Sequence, residues 1–232
     1  MKRALTAAYL LAKRALSLET RQDRFRRYAL LNKWKNKESV SGPGSTLAYT
    51  ARLRKALPLV FDEFSIKTVL DAPCGDYNWM RLLERSGVQY IGGEIVPELV
   101  DANNARYRDE VTRFIYCDIV EDELPAVDLW ICRDTLFHFS YTDVFKTLDN
   151  LFRSEIKYFL ATHCPGQLEN SDTRTGSCFS RNLVGQPFCF PEPHLWLEDG
   201  IEGGPRRQMG LWEVKALQAA LADNTAFQER TA

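Results

Sequence analysis

From residue 68 onward the chain alternates short apolar runs with amphipathic segments, and this alternation constrains the fold more than any other feature. TVLDA (68–72), QYIGGEI (89–95), RFIYCDI (113–119), VDLWICRD (127–134) and KYFLATHC (157–164) have the length and residue content of strands. NWMRLLERS (78–86), VPELVDANNARY (96–107) and YTDVFKTLDNLFRS (141–154) read as helices. In the last, Val144, Leu148 and Leu151 fall on one face. Strand and helix in turn, with short links, specify an α/β fold: a doubly wound, mostly parallel sheet with helices on both faces. Such a sheet binds its ligand beyond the carboxyl ends of the strands, where the strand order reverses. The residues at those ends are Asp71, Glu94, Asp118, Arg133 with Asp134, and His163.

At 232 residues the chain is long enough for one sizeable domain with appendages. Its net charge of −1 gives no bulk reason to expect DNA as a partner. The charge is nonetheless uneven. Residues 1–37 hold 11 Lys/Arg and 2 Asp/Glu, a net of +9, which leaves −10 for the remainder. Residues 1–38 are therefore read as a basic helical N-terminal extension, and 39–232 as the main α/β domain. The opening MKRALTAAYLLAKRALS places Leu5, Tyr9, Ala12 and Leu16 at helical spacing. Its apolar stretch is short and closed by Lys13–Arg14, which argues against a secretory signal and against a membrane span. The basic arm reads as a solvated helix kept soluble by its Lys and Arg, or as a weak contact to an anionic membrane surface; its amphipathic start either caps the domain or lies on a membrane. A cytoplasmic location, peripheral at an inner membrane in the second case, is the expectation. Six cysteines form no CxxC and no zinc spacing, so no metal is expected; Cys117 and Cys132 sit in apolar runs, as buried free thiols would.

The turn LDAPCGDYNWM (70–80) carries the most chemical information. A dinucleotide site would show GxGxxG here, with a helix N-terminus facing pyrophosphate. This turn has one glycine, Gly75, flanked by Asp71 and Asp76, which would repel a phosphate. They suit a cationic ligand. S-adenosylmethionine carries a sulfonium and an ammonium, and its adenosine needs no phosphate cradle. Gly75, lacking a Cβ, lets the backbone approach that ligand. Glu94, 23 positions after Asp71, can accept both ribose hydroxyls. Asp118, 24 positions further on, can accept from the adenine amino group, with Ile95 and Ile119 packed on the ring.

With DAPCG, YIGGEI, CDI and VDLWICRDTLFHFS together, the chain resembles the class I (Rossmann-like) S-adenosylmethionine-dependent methyltransferases. ESVSGPGSTL, LDAPCGDYNWM, CRDTLFHFS, NSDTRTG…NL…PFCFPEP and MGLW resemble more narrowly a bacterial subgroup associated with glycan and small-molecule modification. The resemblance covers roughly residues 38–215. It implies S-adenosyl-L-methionine as cofactor, held by Asp71, Ala72, Gly75, Asp76, Glu94, Ile95, Asp118, Ile119 and Arg133. It also implies a seven-stranded sheet whose last strand, near 208–216, is antiparallel. The chain departs from the pattern twice. Tyr77 stands where the class commonly has a second glycine, and Cys178–Phe179 stand where the subgroup has a Trp-Arg pair.

Methyl transfer requires the acceptor atom about 3 Å from the methyl carbon, and a hydroxyl acceptor benefits from a base. Asp134, His138 and His163 are the candidates, beside the expected methyl donor; His194 reads as structural. The irregular segment 164–193 is a candidate acceptor-side lid, with Asn170, Asp172, Thr175, Arg181 and Asn182 as its substrate-binding groups. The same polar groups would equally hold a loop together. SGPGST (41–46) starts a capped helix, with Ser45 or Thr46 as cap, and can cover the cofactor. The expected activity is methyl transfer to an oxygen of a small molecule or glycan. An RNA or protein methyltransferase, a nicotinamide oxidoreductase lacking GxGxxG, and a cofactor-binding partner without catalysis remain as alternatives.

Overall fold

A computed structural model describes residues 2–231. Seven strands, β1 (Thr68–Asp71), β2 (Gln89–Glu94), β3 (Thr112–Tyr116), β4 (Leu129–Cys132), β5 (Tyr158–His163), β6 (Leu195–Glu198) and β7 (Gln208–Glu213), make one sheet in the order β3-β2-β1-β4-β5-β7-β6. The strands from β3 to β5 are parallel, and β7 is antiparallel to both β5 and β6. One reversed strand at 208–213 is what the family pattern implied. Because β1 lies between β2 and β4, the strand order reverses there, and the crevice opens at the carboxyl ends of these strands.

Period-two alternation divides the core. Leu70, Trp130, Phe159 and Trp212 face one side, where Val144, Phe145, Leu148 and Leu151 of α5 (Tyr141–Arg153) cover them. Val69, Leu129, Ile131, Leu160 and Leu211 face the other, against Leu53, Leu57, Val60 and Phe61 of α3 (Ala51–Glu63). Helix α4 (Pro97–Tyr107) follows β2; α6 (Val214–Leu221) and α7 (Thr225–Thr231) close the chain. Burial on both faces explains why β1, β4 and β5 read as continuous apolar runs.

Several local expectations change. The segment 78–86 forms only a 3-10 turn at Met80–Leu82, not a helix. Trp79, Met80 and Leu83 are buried, and the Asn78 amide donates to the carbonyl of Ser45 (3.0 Å), so tertiary contacts replace helical hydrogen bonds. Residues 43–45 form another 3-10 turn, and α3 begins at Ala51, without a cap from Ser45 or Thr46. Strand β6 has no counterpart in the sequence reading. The basic arm forms two helices, α1 (Lys2–Ala15) and α2 (Arg21–Leu30), the second opened by a reciprocal cap between Thr20 and Asp23. All six cysteines are free thiols; Cys117 and Cys132 are buried as expected, and burial pushes Cys117 up to about 12.

Candidate active site

One cleft lies beyond the carboxyl ends of β1, β2 and β4. Asp71, Gly75, Glu94, Ile95, Asp118, Ile119, Arg133, Asp134 and His138 line it, and these residues were singled out in the sequence. The sheet register brings them together, since Asp71 stands opposite Gly92 and Ile131. Asp118 lies two residues past the end of β3 rather than on it.

Asp71 and Glu94 are buried, and neither carboxylate has an ion pair among the described residues. The Tyr90 hydroxyl donates to Asp71 at 2.6 Å. The backbone N–H groups of Gly75 and Val96 donate to Glu94, each at 3.0 Å. Burial pushes both carboxyls up to about 7, against these hydrogen bonds. Gly75 takes φ +58, and a Cβ there would overlap the hydroxyl of Ser41. Tyr77 takes φ +57, a conformation that favours glycine. Its ring leaves the cleft and packs against Tyr90, Tyr107 and Phe114, and its hydroxyl accepts from Arg85 at 2.8 Å.

The roof of the cleft comes from the N-terminal arm and the segment that follows it. Arg21, Phe25, Tyr28, Trp34, Val40, Ser41 and Ser45 line it. Sequence reasoning missed most of these, because nothing local ties an arm residue to a strand end. Asp76 anchors the roof: it accepts from the Ser39 hydroxyl (2.8 Å) and the Val40 N–H (2.9 Å). Arg133 does so as well, donating to the Gly44 carbonyl at 2.8 Å while paired with Asp199 at 2.8 Å. Ala72 stands behind the cleft, fully buried, its carbonyl accepting from the Trp130 indole. Asp118 meets Arg21, whose guanidinium donates to both carboxylate oxygens, the shortest bond being 2.8 Å. The group expected to meet adenine is therefore shared with α2.

His138 sits in a 3-10 turn after β4 and stacks under Trp34, ring centroids 5.0 Å apart. Its Nδ1 lies 2.7 Å from the carbonyl oxygen of Ser177. A carbonyl can only accept, so Nδ1 carries the proton and the neutral ring keeps its lone pair on Nε2. Burial lowers the pKa of this imidazole, so it is neutral near pH ~7. Asp134, at φ +54, is held by ion pairs to Arg207 (3.1 Å) and Arg133 (3.4 Å). His163 lies outside the cleft lining. It is buried, stacked on Trp196, and its Nδ1 accepts the Leu183 N–H at 3.1 Å.

None of the five lid candidates lines the cleft. Asn170 bridges the Asn182 and Gln186 carbonyls (2.8 and 2.7 Å), and Asn182 caps Val184 and Gly185. Asp172 and Thr175 accept the Tyr141 and Ser140 N–H groups (2.7 and 2.8 Å), fixing the loop to the start of α5. Arg181 is fully buried, donates to the Ser171 and Phe139 carbonyls, and lies over the ring of Tyr141. These groups hold the loop together and fix it to α5. The loop meets the cleft lining through the Ser177 carbonyl at His138 and the Gly176 carbonyl, which accepts from the Tyr28 hydroxyl at 3.0 Å.

The strand order, the single reversed strand and the crevice define the Rossmann-like methyltransferase fold. Solved structures with this fold include the mitomycin 7-O-methyltransferase MmcR, at TM-score 0.59 and 14% identity over 81% of this chain. Human N-acetylserotonin methyltransferase, in complex with S-adenosylmethionine, is similar at TM-score 0.52 and 13% identity over 84% of the chain. The chain spans 57% and 56% of those two proteins, respectively. It spans 99% of the methyltransferase domain of bacterial CtHen1-CN, which covers 71% of this chain at TM-score 0.54 and 15% identity. No family model matches the sequence, and neither does any curated protein.

Proposed function

We propose that the chain is an S-adenosylmethionine-dependent methyltransferase acting on an oxygen of a small molecule or glycan. The observation that carries this reading is the pair Asp71 and Glu94: two buried carboxylates at adjacent strand ends, lining one cleft and making no ion pair among the described residues. Buried charges are costly unless compensated. A ligand bringing an ammonium, a sulfonium and ribose hydroxyls compensates both. Gly75 allows the close approach, and Ile95 and Ile119 offer apolar surface to the adenine. Structural neighbours whose names carry small-molecule acceptors agree with this class.

S-adenosylmethionine in this cleft would supply a methyl carbon activated by its sulfonium. The protein's own part is orientation, exclusion of water and removal of a proton. Asp76 and Arg133 hold the roof segment 39–45 over the cleft. His138, with Nδ1–H fixed on Ser177, offers Nε2 to take the proton of an acceptor hydroxyl. Asp134, beside it, orients the acceptor or balances the imidazolium that forms. The basic arm spends Arg21, Arg24, Arg26 and Arg27 in ion pairs to Asp118, Glu19 and Glu98, which weakens the case for an RNA acceptor. The test is calorimetric titration of the purified protein with S-adenosylhomocysteine. Binding is expected; a folded sample that does not bind would sink the proposal.

A further inference from the structure

Helix α1 turns its apolar side to solvent. Leu5, Tyr9, Ala12 and Leu16 form one row at helical spacing, and Ala4, Ala8, Leu11 and Ala15 form the adjacent row. All eight are exposed; Leu5, Tyr9 and Leu16 are 65%, 58% and 69% accessible. Among the described residues of α1, Leu10 alone is fully buried, on the side where α1 meets α2 and Lys13 pairs with Asp23. The apolar rows therefore face away from the domain.

The charge pattern says what fits this face. Residues 1–18 contain Lys2, Arg3, Lys13 and Arg14 and no Asp or Glu. Arg3 and Arg14 are exposed. A second copy packed on the same face would set these cations against one another, with no carboxylate on the helix to pair them. An anionic bilayer accepts both features: the apolar rows enter the acyl boundary, and the exposed Arg3 and Arg14 meet the headgroups. Among the described residues no helix is long and apolar enough to cross a membrane, so the contact lies in the interface plane. We propose that α1 docks the protein on an anionic lipid surface through Leu5, Tyr9, Leu11 and Leu16, with Arg3 and Arg14 as flanks. Because α2 lines the catalytic cleft and is tied to α1, docking holds the cleft close to that surface. The inference does not depend on the identity of the reaction.

Flotation of the full-length protein with phosphatidylcholine vesicles, with and without phosphatidylglycerol, tests it. At low salt the protein is expected to float with the phosphatidylglycerol vesicles only, and to dissociate as salt rises. Leu5→Glu combined with Leu16→Glu alters exposed positions only, so the circular dichroism spectrum and melting temperature should hold. Vesicle binding should fall by about tenfold or more. Arg14→Glu, a single exposed change, should weaken binding to the anionic vesicles on its own. Wild-type protein that stays down with both vesicles, or a double variant that floats as well as wild type, overturns the proposal. So does a dimer in sedimentation velocity that the double variant abolishes while no vesicle binding is seen.

Discussion

The guanidinium of Arg21 grips the carboxylate of Asp118 at 2.8 Å across 97 residues of chain. The same guanidinium reaches Asp143 at 3.1 Å. One side chain thus ties α2 to the end of β3 and to the first turn of α5, directly over the cleft. Removing it leaves two mostly buried carboxylates without their cation. Arg21→Ala is expected to lower stability by about 1–3 kcal/mol in urea unfolding, more than a surface pair would. Amide exchange in residues 21–34 should quicken, while that of β1 and β4 stays slow. Unchanged exchange in the arm would mean that other contacts hold it.

Glu94 lines the cleft, and each of its oxygens accepts one backbone N–H and has capacity for another donor. Glu94→Gln removes the charge and half of the acceptor capacity. Affinity for S-adenosylhomocysteine should drop by about 10- to 100-fold, the loss of a charge-assisted hydrogen bond or two. Calorimetry on both proteins reads this directly. Equal affinity would remove Glu94 from the ribose site.

Asp71 and Glu94 titrate near 7 in the folded chain, above their ordinary range. The sign follows from which state holds more protons. Between roughly pH 7 and pH 4 the folded protein binds protons that the unfolded chain has released. These two groups therefore make the ligand-free protein more stable as pH falls through that window, and less stable above it. A cationic ligand wants both carboxylates ionised. Affinity for S-adenosylmethionine should rise from about pH 6 to about pH 8, with protons released on binding. Calorimetry in buffers of different ionisation enthalpy counts those protons; uptake instead of release would contradict the assignment.

His138 is oriented by Ser177 and lowered in pKa by burial. Once an acceptor is in hand, His138→Gln should cost about 10²- to 10⁴-fold in kcat and leave S-adenosylhomocysteine binding nearly unchanged. At saturating cofactor the wild-type kcat should be flat at neutral pH and fall only below the ordinary imidazole range. A rate that stays high in the variant would point to an acceptor atom that needs no base.

Gly75→Ala places a methyl group against the Ser41 hydroxyl at a positive φ. A loss of about 1–2 kcal/mol is expected, with weaker cofactor binding because the roof segment is displaced. Ser41→Gly in the same chain should recover part of the binding by vacating the contact. No recovery would assign the whole effect to backbone strain.

The parallel core and most of the cleft floor were legible without coordinates. Val69, Leu70, Ile131 and Leu160 announce buried strands by their own chemistry, and Asp71 and Glu94 stand at strand ends because the apolar runs stop there. These are local properties: hydrophobic periodicity sets the element, and the element sets where its end falls. The roles of the loop groups were not local. Arg181 and Asn170 have side chains suited to binding an acceptor, yet Arg181 is consumed by the Phe139 carbonyl and Asn170 by that of Asn182. A polar group can serve a ligand only with the hydrogen-bonding capacity its neighbours leave, and those neighbours are chosen by the fold. The same holds for Arg21 on Asp118, which closes the cleft from far away in the chain. It holds for α1 as well, where spacing made Leu5, Tyr9 and Leu16 one face but only packing decided that the face points to solvent.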